Sequence, residues 1–349
     1  MGRSKHSLRS VMFLALMHVP SVCLAQTVLT ETCDASAALR MANGDLLVGD
    51  DESNILRRYD AAANIVSETN LGPYIGEDEA DIEGVARLGH LAFWVTSHGR
   101  NRKGKLKRSR YRLFATKSTN AQPNSPMEFV GQTTMLAGAM VDPARWSNPT
   151  MYGALISHLG RSTILAERKV KRLAPKKEGL NIEALSSDED GHLLLGLRNP
   201  LYHGKAIVLT LLNPQAVLNG EFPQFGAASL LDLGGRGIRG MVAHKGAQLL
   251  IAGPVDGGKR FALYGWSGRA EAPAQWVKDI PTRPGVNPEG IEISPGGVLL
   301  VNDEGSRLME GRRCKDLAVQ FRSFSTQTVK LKEHQVPTTT IKPGPGSSP

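Results

Sequence analysis

The stretch Leu180 to Pro200, LNIEALSSDEDGHLLLGLRNP, decides the fold. A polar head with Asn181 and Glu183 opens a short apolar run. Asp190-Gly191 turns the chain, and Leu193 to Leu197 makes a second apolar run. Two strand-length runs around a glycine turn read as a β-hairpin. The pattern returns in CDASAALRMANGDLLVGDDES from Cys33, ADIEGVARLGHLAFWVTSHGRN from Ala80, RGIRGMVAHKGAQLLIAGP from Arg236 and VNPEGIEISPGGVLLVNDEG from Val286. A third strand-like run follows most of them: NILRRYD, RLFATKS, KAIVLTLLN and RFALYGW.

The spacing sets the expected count. Repeat starts at Asp34, Asp81, Asn181, Gly237 and Asn287 are 47, 100, 56 and 50 residues apart. The long gap reads as two units, the second a degenerate one over Phe129 to Gly179 with MYGALISHLG and STILAERK. Repeats of this length and strand content predict an all-β chain folded as a single β-propeller, with six blades of about four antiparallel strands, and five or seven blades as the alternatives left by the weak third unit.

Arg3, Lys5 and Arg9 precede the apolar run Val11 to Val19, and small residues follow up to Ala25, so residues 1–25 are expected to be a signal peptide. The apolar run is shorter than the ~20 residues of a membrane span. Export to the periplasm or extracellular space is therefore expected, with no membrane span. The propeller is assigned to residues 26–335, and the polar tail over 336–349 is expected to be disordered. Of three cysteines, Cys23 falls in the leader. Cys33 and Cys314 remain, and in an oxidising compartment they predict a disulfide across the seam of the ring. The formal charge of +9 falls to +6 without the leader.

Hairpin geometry places the chemistry. The start of the first strand and the end of the second meet opposite the turn. Asp81 and Glu83 thus share an end with His98, Arg100 and Asn101, as Asn181 and Glu183 do with Arg198 and Asn199. Asn287 and Glu289 likewise meet Asn302, Asp303 and Glu304, while Asp34 and Ser36 meet Asp50 and Asp51. Arg239 stands where three other repeats carry glutamate. If the hairpins supply the innermost strands, these heads converge on the central channel. Glu83, Glu183 and Glu289 then either hold a hard cation such as calcium or accept hydrogen bonds and pair with Arg239, Arg198 and Arg100.

GRNRKGKLKRSRYRLF from Gly99 crowds cations, Lys103 among them, beside that face. Such clusters recognise phosphate or carboxylate, or are solvated loops. The second run, RKVKRLAPKK from Arg168, reads as a solvated edge. Nucleic acid is not expected as a partner, because the basic runs lack interleaved aromatics for stacking. GPVDGGKR is no phosphate-binding loop, since Arg260 replaces the required Ser or Thr and a strand follows. The chain has no G-x-S-x-G elbow, no H-E-x-x-H helix and too few cysteines for a multi-cysteine zinc site.

As a set, TCDAS, EADIEG, SHGRN, LNIE, LRNPL, LLDLGGRGIRG and NPEGIE resemble a family of secreted bacterial proteins grouped as a domain of unknown function. The resemblance covers nearly the whole mature chain. More distantly the chain is similar to esterase-like phytase and gluconolactonase propellers, a resemblance that implies calcium at the channel mouth. Their ligands have no residue-by-residue match here, so no catalytic role is carried over. Two functions fit. One is a metal-assisted hydrolase of an anionic phosphoester or lactone, with Glu83, Glu183 and Glu289 on the metal. In that reading His98, Arg100, Asn101, Lys103, Arg198, Asn199 and Arg239 are the ligand-binding set. The other is a non-catalytic monomeric propeller that binds a small anionic molecule, an envelope component or a protein partner at the same face.

Overall fold

Five four-stranded antiparallel sheets, not six, make up the ring. The computed structural model describes residues 26–119 and 124–332. The expected signal peptide and the tail over 336–349 lie outside the described residues. The first blade runs outward from Ala35–Arg40 through Leu46–Asp50 and Ile55–Tyr59 to Ile65–Asn70. The second is built from Ile82–Leu88, Leu91–Thr96, Leu113–Lys117 and Glu128–Thr133. The third has Asn181–Ser187, Leu193–Asn199, Ala206–Leu211 and Phe225–Leu231. The fourth has Gly237–His244, Ala247–Gly253, Phe261–Trp266 and Gln275–Ile280.

The expected sixth blade is where the sequence reading goes wrong. Phe129 lies in the outermost strand of the second blade, and the chain then turns helical. MYGALISHLG falls within the helix Pro149–Thr163, where Leu155, Ile156, Leu159, Ser162 and Thr163 are buried on one face. That spacing is helical, not the alternation of a strand. Asn148 caps the helix by accepting a hydrogen bond from the Met151 N–H at 3.1 Å, and Pro149 opens it. The excursion packs into the apolar cluster of the second and third blades through Trp146, Leu155 and Leu159. It is an insertion between blades, so the 100-residue interval is one blade plus a helical excursion.

The fifth blade closes the ring with both ends of the chain. Its strands are Asn287–Ser294, Gly297–Asp303 and Ser323–Lys330, and the outermost is Gln26–Thr30, paired antiparallel from Gln26 opposite Gln327 to Thr30 opposite Ser323. Cys33 and Cys314 are joined in a disulfide, with Cα atoms 6.0 Å apart. The sheets stack face to face around the axis, which is why a strand such as Leu193–Asn199 is buried along its whole length. Among the described residues, no helix is long and apolar enough to cross a membrane.

Candidate functional site

A repeated backbone irregularity aims the site. In every blade the ladder between the two innermost strands skips one residue on the first strand. The skipped residues are Ser36, Glu83, Glu183, Arg239 and Glu289, one per blade and each two positions after the repeat start. A β-bulge leaves its extra residue unpaired and redirects the side chain, so the same register position turns toward the channel five times. The residue after each bulge is small: Ala37, Gly84, Ala184, Gly240 and Gly290. Neighbouring inner strands approach closely there, and a Cβ on Gly240 would sit 2.1 Å from the Glu289 carbonyl oxygen. In the third blade the facing strand skips Arg198 as well.

All of these side chains except Ser36 meet in one cavity of about 290 Å³ at the head of the channel, lined by Glu83, Glu183, Arg198, Arg239 and Glu289. Glu183 is sandwiched between two arginines. Arg198 Nη1 donates to its Oε1 at 2.8 Å, and Arg239 Nε faces its Oε2. Arg239 also pairs with Glu289 through Nη2. The chain Arg198–Glu183–Arg239–Glu289 is thus balanced two against two. All four are nearly inaccessible to water, where a charge is tolerated only with such partners. Glu83, only 8 % exposed, has no hydrogen bond or ion pair among the described residues. Ser36, the uncharged fifth member, donates to the Ile82 carbonyl instead.

Asp51 and Asp303 complete the acidic side of the cavity, while Lys176, Lys259 and Arg283 belong to its basic side. Asp51 Oδ1 is buried without a hydrogen-bond partner. Asp303 accepts from Asn287 Nδ2 at 3.1 Å and from the Gly305 N–H at 2.8 Å. One oxygen each from Asp34, Asp51 and Glu52 lies within 4.8 Å of the others, and Lys315 reaches Glu52 and, at 3.9 Å, Asp34.

Burial raises the pKa values of Asp51 and Glu83 well above the usual carboxylate range, helped by Asp303 around Asp51 and by Glu183 around Glu83. Burial, then Asp303, lifts Asp34 to about 7, and burial lifts Asp81 to about 6 against the opposing Arg110. Such a group holds its proton more tightly in the folded protein than in the unfolded chain. Its contribution is complete below the unfolded value near 4 and is lost as pH rises through the folded value. His98, which burial holds down at about 4, acts in the opposite sense over a similar window. Burial also raises Asp50 and Glu292 and lowers His158 and His244, so six carboxylates oppose three histidines, and the ligand-free protein is expected to melt at a higher temperature at pH 5 than at pH 8. Thermal unfolding followed by circular dichroism at matched ionic strength checks this; a melting temperature that climbs toward pH 8 would contradict the assignment.

Of the seven residues read from the sequence as ligand-binding, only Arg198 and Arg239 line this cavity. His98 is fully buried, with Nδ1 2.8 Å from the Thr96 carbonyl oxygen and its ring edge-on to Tyr111. Arg100 is buried and donates to the carbonyls of Gly104, Ile164 and Glu167, so it pairs with none of the glutamates. Asn101 Oδ1 accepts from the N–H groups of Lys103 and Lys105, both at 3.0 Å. Lys103 is exposed. Asn199 Nδ2 ties down the 175–177 loop through the Pro175 and Lys177 carbonyls. Glu83, Glu183 and Glu289 all line the cavity, but two of the three are ion-paired with arginine. Sequence reasoning missed Lys176, which sits in the run read as a solvated edge, and Lys259 in the false phosphate-loop match. Loop residues carry no register signal, so neither was detectable by repeat alignment.

No curated protein sequence matches the chain. Among solved structures it is similar to glutaminyl cyclase from Myxococcus xanthus, at 12% identity and a TM-score of 0.44, over 88% of this chain and 96% of that one. A PQQ-bound aldose sugar dehydrogenase from Streptomyces coelicolor shares 12% identity, with a TM-score of 0.39 and coverage of 88% and 99%. A gluconolactonase from Xanthomonas campestris shares 11%, with a TM-score of 0.37 and coverage of 88% and 81%. Similarities this low say nothing of chemistry. Residues 34–283 match the family described as "Protein of unknown function (DUF3616)", and the chain belongs to that family.

Proposed function

We propose that the protein is an exported propeller that binds a small anionic molecule at the head of its channel, with a divalent cation such as calcium on the acidic side. One observation carries the reading: Glu183 and Glu289 are neutralised by Arg198 and Arg239, whereas Glu83 in the same cavity forms no hydrogen bond or ion pair among the described residues. An unpaired buried carboxylate is costly until a cation or proton meets it. Glu83 and the unpartnered Oδ1 of Asp51 offer the oxygen donors a hard cation takes. Lys176 and the rim cations Lys259 and Arg283 suit the anionic part of the ligand. The disulfide accords with an oxidising compartment.

Hydrolysis of a phosphoester or lactone is the second reading. The raised pKa values of Asp51 and Glu83 favour it, because a buried carboxyl that holds its proton above the usual carboxylate range can serve as a general acid. Calorimetric titration of the wild type with calcium and with inorganic phosphate tests the binding reading. Glu83→Gln is expected to weaken calcium by about tenfold or more. Without calcium at pH 8 the same variant should be more stable than wild type by about 1 kcal/mol, since it removes an unpaired buried charge. Wild-type protein that takes up neither ion would overturn the reading. Turnover of p-nitrophenyl phosphate or a sugar lactone that chelator abolishes would select the hydrolase.

A further inference from the structure

Two basic stretches far apart in the chain, Arg100–Arg112 and Arg168–Lys177, are fastened side by side. Lys105 and Lys169 pair as an antiparallel bridge. The Leu106 N–H donates to the Arg168 carbonyl and the Val170 N–H to the Gly104 carbonyl, each at 2.9 Å. Buried Arg100 completes the fastening, because its guanidinium donates to Gly104 on one side and to Ile164 and Glu167 on the other. Asn199 anchors the far end of the second stretch at Pro175 and Lys177.

The result is a ridge of like charge. Arg102, Lys103, Lys105, Arg168, Lys169 and Lys171 are exposed, and none of the six forms an ion pair among the described residues. Among the described residues, Arg172 of the second stretch is compensated by Glu178 at 3.0 Å and Arg110 of the first by Glu79 and Asp81. Cations gathered well inside a Debye length repel one another, so the clustering opposes stability. Free solvated loops would spread apart, yet here a buried arginine and a backbone bridge hold them together.

The composition of the ridge narrows what it can hold. Neither stretch has an exposed large apolar side chain. It therefore lacks the apolar face with which a helix enters a membrane surface, the aromatic platforms that stack on nucleobases and the aromatic anchors that centre a protein interface. Recognition must run through charge alone. The ridge also does not end on a flat face. Lys176 belongs both to the second stretch and to the wall of the central cavity, so positive charge runs from the exposed loops down into a concavity. A planar bilayer cannot follow that path, whereas a flexible linear chain can.

We propose that this ridge binds a linear acidic polysaccharide, a chain of sugars bearing carboxylates, laid along the Lys105–Lys169 bridge toward the channel mouth. The proposal does not depend on a cation in the cavity.

The test uses the mature protein and polygalacturonate, with duplex DNA and phosphatidylglycerol vesicles as comparators. Wild-type protein is expected to bind polygalacturonate with an affinity that falls as salt rises, and more tightly than either comparator. Lys103→Glu/Lys105→Glu/Lys169→Glu should weaken binding by more than about tenfold, since each cation near an anionic surface is worth about fivefold. A control that reverses three exposed cations elsewhere, Lys205→Glu/Lys245→Glu/Arg269→Glu, should change it by less than about twofold. Circular dichroism of both triples establishes that they are folded. No binding at low salt, equal losses in the two triples, or tighter binding to DNA or vesicles would each overturn the proposal.

Discussion

Arg239→Met is expected to cost about 3–5 kcal/mol of folding stability, the penalty for breaking a buried ion pair from one side. Arg239 is 5 % exposed and is the shared partner of Glu183 and Glu289 on two neighbouring blades. Its removal leaves Glu183 with Arg198 alone and Glu289 with no ion-pair partner among the described residues. The inward bulge holds both carboxylates at the head of the channel, away from the outer surface. Protonation is the remaining relief, so the loss should be smaller at pH 5 than at pH 8. Adding Glu289→Gln to Arg239→Met should recover part of it by removing the orphaned charge. Equilibrium urea unfolding of the wild type, the single and the double variant at both pH values supplies the comparison. A loss below about 1 kcal/mol with no pH dependence would mean that the four-residue chain is not a buried network.

The second large effect belongs to the seam. Cys33→Ala/Cys314→Ala is expected to lower stability by about 3–5 kcal/mol, because the bridge closes a loop of 281 residues in the unfolded chain. For a domain of this size that is a fall of roughly 5–10 °C in melting temperature. The ring should still close without the bridge. Gln26–Thr30 keeps its ladder to the Ser323–Lys330 strand, and Tyr59 Oη still donates to the Thr30 carbonyl at 2.7 Å. Native circular dichroism with a lowered melting point is therefore the expected outcome. Differential scanning calorimetry, with wild type in reductant as a second arm, measures it. A variant that melts within about 1 °C of wild type would show that the closing blade needs no covalent clasp.

The hairpin repeat was legible because it rests on local rules. Alternating apolar runs around Asn43-Gly44, Asp190-Gly191 or Gly296-Gly297 specify strands and turns whatever the rest of the chain does, and Gly44, Gly191 and Gly296 all adopt the positive φ those turns need. Equal register then places Glu83, Glu183, Arg239 and Glu289 at equivalent points. The blade count was less accessible. A 100-residue interval is divisible by two, and only the burial of Leu155, Ile156 and Leu159 on one face reveals a helix in place of a blade.

By itself, then, the sequence determined the propeller class, the pair of cysteines free to close its seam and the equivalence of four charged positions. Tertiary structure alone decided which charges are spent. The bulges bring side chains from separate blades within ion-pair distance, and that proximity commits Arg239 and Arg198 to glutamates while leaving Glu83 open. Arg100 and His98, at the same end of the second-blade hairpin as Glu83, turn instead into the packing behind it. Pairing between buried charges depends on separations across blade interfaces. No local pattern encodes those separations, because they arise only when the ring closes.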